Sequence, residues 1–415
     1  MEKMNIYKLA TVWLTRVALI RVTWQDRPMN NAPSSTNAQY PCLTLDLGLI
    51  EANVRSVTQL CTAQGISVAG VVKGAGGFVP VAAAMVRGGV SSLASSRLPQ
   101  LRALRAAMRP QADHVGASGI PSSLPLGLLR IPGPGEIDEA VALADWSLQS
   151  DPTALGLMAE AAGKSGRHHG VVLMLDLGDL REGWFDEDEL FEQALRVERD
   201  LTALHLRGIG TNLGCYGSIL PAADNLGRLV ALARRIEAAI GRSLDVVSGG
   251  ATTSLPLLLR GGMPAGITEL RIGEAVLCAG DLPRFHGVSV PGVRMDAFTL
   301  RARIIELRKK PSLPVGERFI DAFGERPVYE DRGTRMHLLL GVGKRDFGSH
   351  GYLVPRDNRI HVIGSSSDHL ICEADEPCDD LRYGTVLEFD IMYGAMLFLC
   401  DGNPYINVEF SSDLP

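Results

Sequence analysis

Leu43 to Phe78, LTLDLGLIEANVRSVTQLCTAQGISVAGVVKGAGGF, reads as strand, helix, strand and then a glycine-rich turn. Val68–Val72 is an apolar run too short for a helix and bounded by glycine, the pattern of a parallel strand buried on both faces. Lys73 therefore falls where a buried strand ends. At such a mouth an apolar wall desolvates the amine, lowers its pKa and frees it to attack a carbonyl. A lysine that simply extends its ammonium into solvent fits the same stretch. Its partners elsewhere in the chain have to decide between the two.

The same alternation continues from Tyr40 to about Gly280. Helical stretches at Leu49–Thr62, Val79–Arg87 and Leu98–Met108 alternate with short apolar runs at Ser91–Ala94, Leu128–Ile131, Gly170–Leu175, Gly208–Thr211, Asp245–Ser248 and Glu269–Ile272. Strands alternating with helices over this length predict an α/β fold of the (β/α)8 barrel type, with its site at the C-terminal strand ends. A doubly wound sheet competes, but no GxGxxG follows a first strand. After Pro291 the texture changes to strands at Thr299–Leu307, Arg335–Val342, His361–Ile363, His369–Glu373 and Thr385–Tyr393, separated by turns. The expected organisation is residues 40–288 as the barrel and 289–415 as a C-terminal all-β domain, divided near the Pro and Gly cluster at Gly287–Val293. Residues 1–39 read as an extension and linker without catalytic residues: Tyr7–Val22 is apolar but interrupted by Arg16 and Arg21, and Asn30–Asn37 is rich in Asn, Ser and Pro.

Composition narrows the class. A chain of 415 residues exceeds one ordinary core, which is consistent with two domains. A net charge of −6 offers no basic field for nucleic acid, and no apolar stretch reaches the roughly 20 residues of a membrane span. Seven cysteines, at 42, 61, 215, 278, 372, 378 and 400, form no CxxC pair and lack the His spacing of a zinc site. Reduced thiols in the cytoplasm and no metal site are therefore expected.

The strand ends carry Lys73, Arg181 within DLGDLREGW, Asn212 and Tyr216 within GIGTNLGCYG, SGGA at Ser248–Ala251, and Arg271 within LRIGEA. That set holds one amine nucleophile, two cations and two glycine-bearing turns able to present N–H groups to a phosphate. A phosphate-bearing aldehyde would use all of them. Taken singly, SGG is also an ordinary tight turn, and Arg181 also reads as a surface arginine in an acidic loop beside Glu182, Asp186 and Glu187.

Taken together, VVKGAGGF, DLGDLREG, GTNLGCYG, SGGATTSLPLLLRGG and LRIGEAVLCAG resemble the motifs of the alanine racemase superfamily, most nearly its ornithine racemase branch. The second domain adds DAFG and VYEDRG within Asp321–Gly333, GSSSDHL at Gly364–Leu370 and MYGAML at Met392–Leu397, so the resemblance runs from Pro41 to Phe410. It implies a pyridoxal 5'-phosphate enzyme, an amino-acid racemase and hence an isomerase. It also implies a head-to-tail homodimer in which each β domain completes the other barrel's site. Lys73 matches the lysine that carries the cofactor and moves the α-proton on one face. Arg271 matches the arginine that donates to the pyridine nitrogen; a guanidinium keeps its own proton, so that nitrogen stays unprotonated and prompt reprotonation is favoured. Ser248, Gly249 and Gly250, with the amides at Ile272 and Gly273, match the phosphate cradle. Arg181 matches an arginine near the cofactor hydroxyl and the substrate carboxylate. Asn212 stands where alanine-specific relatives carry a histidine facing the ring.

The chain departs from those relatives at the second base. Their tyrosine lies in a GYxDG turn of the partner's β domain, and the matching turn here is GKRDF, with Lys344 in the tyrosine's place. Lys344 is a second base if desolvated, and otherwise a substrate-binding or exposed cation. Asp368 matches an acidic residue beside the substrate site, with His369 and Tyr393 as further candidates. The tyrosine usually found four residues after the lysine is Gly77, and Tyr405 is the expected substitute contact to the phosphate. The ornithine branch implies a basic amino acid, whose distal ammonium Asp346, Asp368 or Asp379 can meet. Two alternatives keep the cofactor: an aldolase of the D-threonine aldolase type, and a non-catalytic cofactor-binding protein. The former usually needs a metal, for which no ligand pair is evident near the C-terminus. The latter is, in the examples the resemblance brings, a barrel alone.

Overall fold

The computed structural model describes residues 39–109 and 118–411, so Tyr7–Val22 and Asn30–Asn37 lie outside the described residues. The strand that opens the quoted stretch, β1 (Cys42–Asp46), stands apart from the barrel. The barrel closes from β2 (Ser67–Val71), β3 (Ser92–Ser95), β4 (Leu126–Leu128), β5 (Trp146–Gln149), β6 (His169–Met174), β7 (Leu204–Gly210), β8 (Val246–Ser248) and β9 (Glu269–Ile272), all parallel, with β9 returning to pair with β2. The expected (β/α)8 barrel is thus present, with two changes in which segments build it. β5, WSLQ, was not expected as a strand. Its outward residues Ser147 and Gln149 are polar yet fully buried, with Ser147 bonded to His169 at 2.9 Å, so no apolar run marks it. β4 ends at Leu128, and Leu129–Ile131, expected inside the strand, form the lip of the mouth.

Period-2 alternation sends every second side chain into the barrel. Ala94, Trp146, Leu148, Val172, Met174 and Val246 form one apolar cluster there. Trp146 dominates it: a Cβ on Gly127 would lie 2.2 Å from the indole, so only glycine fits opposite. The same alternation turns Ser248, Glu269 and Arg271 inward above that cluster, with fractional exposures of 0, 1 and 4%.

The remaining strands, β10 (Phe298–Pro311), β11 (Thr334–Leu340), β12 (Leu353–Pro355), β13 (Ile360–Ser365), β14 (Leu370–Ala374), β15 (Val386–Ile391) and β16 (Asn407–Ser411), form the second sheet. β1 belongs to it. It pairs antiparallel with β10, Leu45 opposite Phe298, and parallel with β16, Leu45 opposite Phe410. Leu43 and Leu45 are fully buried there. Directly after β1, the Asp46 carboxylate accepts from the Leu49 amide at 2.9 Å and so caps the helix Leu47–Thr62, which leads to β2. One element thereby carries the chain from the sheet into the barrel.

From Tyr40 onward the chain forms one compact unit, and the glycine turn after β2 is a point of close approach within it. The helix Tyr393–Leu399 of the second sheet packs on Lys73–Ala75. A Cβ on Gly74 would meet Met396 Cε at 2.5 Å, and one on Gly76, at φ +61°, would meet the Cys400 carbonyl at 2.2 Å. The adjoining segment after β9 buries an acid pair. The Asp281 amide donates to Glu274 Oε1 at 3.0 Å, and Glu274 Oε2 has no partner.

Burial, reinforced by Asp281, pushes the Glu274 carboxyl up to about 8 from 4.5. The folded state holds this proton more tightly than the unfolded chain. Its contribution is therefore full below about pH 4.5 and is lost as the pH rises toward 8. Urea midpoints taken at intervals from pH 5 to pH 8.5 should fall for the wild type and fall less for Glu274→Gln; equal slopes would count against this assignment.

Candidate active site

Lys73 ends β2 at the C-terminal mouth, partly buried and facing a cavity of about 380 Å³. Ser96, Leu129, Arg130, Met174 and Arg181 line it with Lys73, drawn from the ends of successive strands. Burial, and next the guanidinium of Arg181, hold the Lys73 amine below its ordinary pKa. Neutral amine is the nucleophilic form, so the strand-end environment favours attack on a carbonyl.

Arg271 lies across the floor of the mouth. Its Nη1 donates to Ser248 Oγ at 2.5 Å and its Nη2 to the Thr211 carbonyl at 2.6 Å, while Nε meets no acceptor among the described residues. Burial lowers its pKa and Glu269 raises it again. The Ser248 hydroxyl, expected at a phosphate, is instead engaged by Arg271 and by Glu269, to which it donates at 2.9 Å. The turn beyond Ser248 is better shaped for an anion. Gly250 has φ +108°, and its Cβ would strike Ser254 Oγ at 2.6 Å; a Cβ on Gly249 would strike Ile267 at 2.6 Å and one on Gly273 would press Val71 O at 3.0 Å. Among the described residues no acceptor meets the Gly250 or Ala251 amide. Thr252 Oγ1 accepts from the Ala275 amide at 3.2 Å and so ties this turn to the one that follows Ile272 and Gly273. Glycine-only backbone, unmet amides and the unpartnered buried hydroxyl of Thr211 fit a phosphorylated aldehyde held between Lys73 and these turns.

The loops after β6 and β7 are locked together by Asp179, which sequence reasoning missed. Its carboxylate accepts from the amides of Cys215, Tyr216 and Ile219 at 3.2, 3.0 and 3.3 Å. The DLGD signature held the signal, as a buried acid between two glycine-bearing loops needs several amide donors. The lock sets Arg181 beside Asn212. With the Asn212 amide oxygen turned toward it, Arg181 donates through Nη1 at 3.1 Å and Nη2 at 2.9 Å, and Nη1 also reaches Cys215 Sγ at 3.0 Å. Arg181 further contacts Glu182 through Nε and Nη2. Tyr216 points outward, 75% exposed.

The second domain contributes two separate groups. Tyr393 is half buried over the Lys73 turn, its Cε2 3.2 Å from where a Gly74 Cβ would be. Lys344 and Asp368 sit together on adjoining loops: the Lys344 amide donates to Ser366 O at 2.8 Å, and Asp368 pairs with Arg345 at 3.5 Å. The Lys344 ammonium lies 3.8 Å from the Phe323 ring centre and 3.9 Å from Glu325, and among the described residues it makes no contact with the Lys73 cluster. His369 Nδ1 bonds to Ser366 at 3.2 Å. Tyr405, expected near the phosphate, donates to Gly341 O at 2.9 Å on the sheet and is not among the residues gathered at the mouth. Gly77, at φ +70°, has Gln100 Cβ 2.6 Å from its missing Cβ, which leaves no room there for a tyrosine. Asp346 is buried, with one oxygen bonded to the Gly343 amide and the other to Asn403, at 2.9 and 2.8 Å.

Comparison with known proteins follows this geometry closely. Residues 45–279 match the family described as alanine racemase, N-terminal domain. An ornithine racemase of Acetoanaerobium sticklandii is 34% identical over 358 residues, covering 86% of this chain and 96% of that one. A lysine racemase of Thermotoga maritima is 32% identical over 359 residues, covering 86% and 95%. Among solved structures, the alanine racemase from Streptomyces coelicolor A3(2) superposes with a TM-score of 0.66 at 19% identity over 90% of this chain and 98% of that one. The barrel with its appended sheet, the strand-end lysine and the extent of these matches have one meaning: the chain belongs to the alanine racemase family.

Proposed function

We propose that the protein is a pyridoxal-phosphate-dependent racemase of a basic amino acid such as ornithine or lysine, acting by two-base removal and return of the α-proton. The observation that carries this reading is the Lys73 amine, held below its ordinary pKa at the barrel mouth beside Arg181 and above the buried Arg271. The cofactor, when bound, supplies an electron sink that acidifies the substrate's α-C–H. Lys73 would hold it through Nζ and, once released, would take or return the proton on its own face. Arg271 would donate to the ring nitrogen and, because a guanidinium keeps its proton, would leave that nitrogen unprotonated. The Gly249–Ala251 and Ile272–Gly273 turns bind the phosphate, with the Tyr393 hydroxyl as a further donor. Arg181, whose N–H groups meet Asn212, Cys215 and Glu182, takes the α-carboxylate through its planar fork when Glu182 gives way.

Lys344 of a second copy acts on the opposite face, with Asp368 beside it. Support for a head-to-tail homodimer comes from two apolar surfaces: Leu180, Phe185 and Tyr216 around the mouth, and Val315, Phe319 and Val328 on the loop beside Lys344, all exposed in the single chain. In functional terms residues 40–288 bind the cofactor and 289–415 close the partner's site, with β1 lent to the second sheet. All seven cysteines are unpaired, which supports a cytoplasmic setting. The ornithine and lysine racemases, at 34 and 32% identity, support a basic substrate.

Purified protein loaded with the cofactor should show the visible band of a lysine-bound aldehyde, and Lys73→Ala should not. Incubated in deuterated water with L-ornithine, L-lysine and L-alanine separately, the wild type should exchange the α-hydrogen of the basic substrates and abolish their optical rotation. Release of an aldehyde from a β-hydroxy amino acid, without exchange, would instead support carbon–carbon cleavage.

Lys344→Ala should lower turnover by about 10²–10⁴-fold, the usual contribution of a general acid–base. Mixing unfolded Lys73→Ala and Lys344→Ala chains and refolding them together should restore activity, because one of the two sites in a mixed dimer then has both lysines. No recovery from a mixture shown to contain heterodimers would rule out a shared site.

A further inference from the structure

The interior of a (β/α)8 barrel is ordinarily packed with layers of branched apolar residues. Here the layer beneath Arg271 is charged. Glu269, 1% exposed, receives the Ser248 hydroxyl on Oε1 at 2.9 Å and Arg207 Nη2 on Oε2 at 3.3 Å. Arg207 in turn lies over the Trp146 ring, 5.0 Å from its centre. A continuous column therefore runs from Trp146 through Arg207, Glu269 and Ser248 to Arg271. Glu269 and Arg271 are two residues apart on β9, so the strand's alternation sends both into the same interior.

A serine hydroxyl has one proton. Ser248 gives it to the Glu269 carboxylate, which leaves its lone pairs to accept from Arg271 Nη1. The direction of each bond is thus set from below, and each strengthens the next in a dry interior. An ionised carboxylate costs several kcal/mol to bury, and the apolar cluster around it would be filled as well by leucine. Structural packing alone does not account for it.

We propose that Glu269 is a positioning residue of the racemase, acting through Ser248 to hold the Arg271 guanidinium in the orientation that presents a donor to the cofactor's ring nitrogen, with Arg207 paired to Glu269 from the other side. The inference rests on the function proposed above and adds a residue that does not touch the cofactor.

Ser248→Ala breaks the link and leaves the Glu269–Arg207 pair whole, so its fold is protected. Glu269→Gln removes the charge, and Glu269→Gln with Arg207→Gln removes both charges in case the single variant fails to fold. With cofactor bound, Ser248→Ala and whichever Glu269 variant folds should lose about 10- to 100-fold in kcat, the scale of one hydrogen bond to a charged group, with KM within about twofold. The pH midpoint of the bound cofactor's visible band should move by about half a unit or more, because a loosened Arg271 lets the ring nitrogen take up a proton; a purely packing role would leave that midpoint where it is. An unchanged midpoint and kcat in folded, cofactor-loaded variants would overturn the role of Glu269 alone. A wild type without a lysine-dependent band would overturn the functional reading and this inference with it.

Discussion

A permanent positive charge buried in the barrel is the constraint around which the rest is arranged. Arg271 is 4% exposed, and a guanidinium cannot escape the cost of burial by releasing its proton as a lysine can. It needs acceptors where water cannot reach. The barrel supplies a carbonyl from just past β7 and a hydroxyl from β8, and the Glu269 carboxylate on its own strand accepts from that hydroxyl. Those demands bear on the residue types at Ser248 and Glu269, whereas at Thr211 the acceptor is the backbone carbonyl. They also explain why the ring of strands narrows on glycines: at Gly208 a Cβ would lie 1.8 Å from Val246 O, so β7 and β8 approach closely and draw Ser248 and Thr211 within reach of one guanidinium.

The mouth above that floor is shared between two kinds of backbone. Glycine turns at β2, β8 and β9 have no side chains of their own to offer, and what fills the space around them comes from elsewhere. At β2 it is the helix Tyr393–Leu399, seated against Gly74 and Gly76. At β8 and β9 it is Ile267, Ser254 and Val71, while the Gly250 and Ala251 amides meet no acceptor among the described residues. The same residue type thus meets a helix of the second sheet on one side of the lysine and the barrel's own turns on the other, and only the neighbouring element tells them apart.

That difference marks how far the sequence could be read. Lys73 was legible because it follows a short apolar run and opens a glycine turn, Arg271 because it lies in such a run just before Gly273, and Arg181 through the DLGDLREG motif, while the barrel followed from the alternation of such runs with helices. The second sheet was legible as a change of texture. What escaped was decided by partners distant along the chain. β5 hides its strand character because Ser147 and Gln149 are polar residues buried inside the protein, where Ser147 bonds both Gln149 and His169. Ser248 looked like part of a phosphate turn, and its hydroxyl is committed to Arg271 from 23 residues away. Tyr405 offered a hydroxyl of the right kind in the wrong place, bonded to Gly341 across the sheet. Glu269 carried a readable signal, a charged residue at the inward phase of a buried strand, but its meaning depends on Ser248 and Arg207 together.

The placement of β1 bears on how the molecule is made. On a ribosome the first strand emerges long before Phe298 and Asn407, the residues between whose strands it is finally held. All eight barrel strands can be in place while Leu43 and Leu45 still lack both neighbours, an apolar edge open to any other chain. Closure of that edge comes only when Asn407–Ser411 reaches back to it. A strand made late therefore shelters one made early, and a chain broken off before it would carry a finished barrel with a sticky edge at β1.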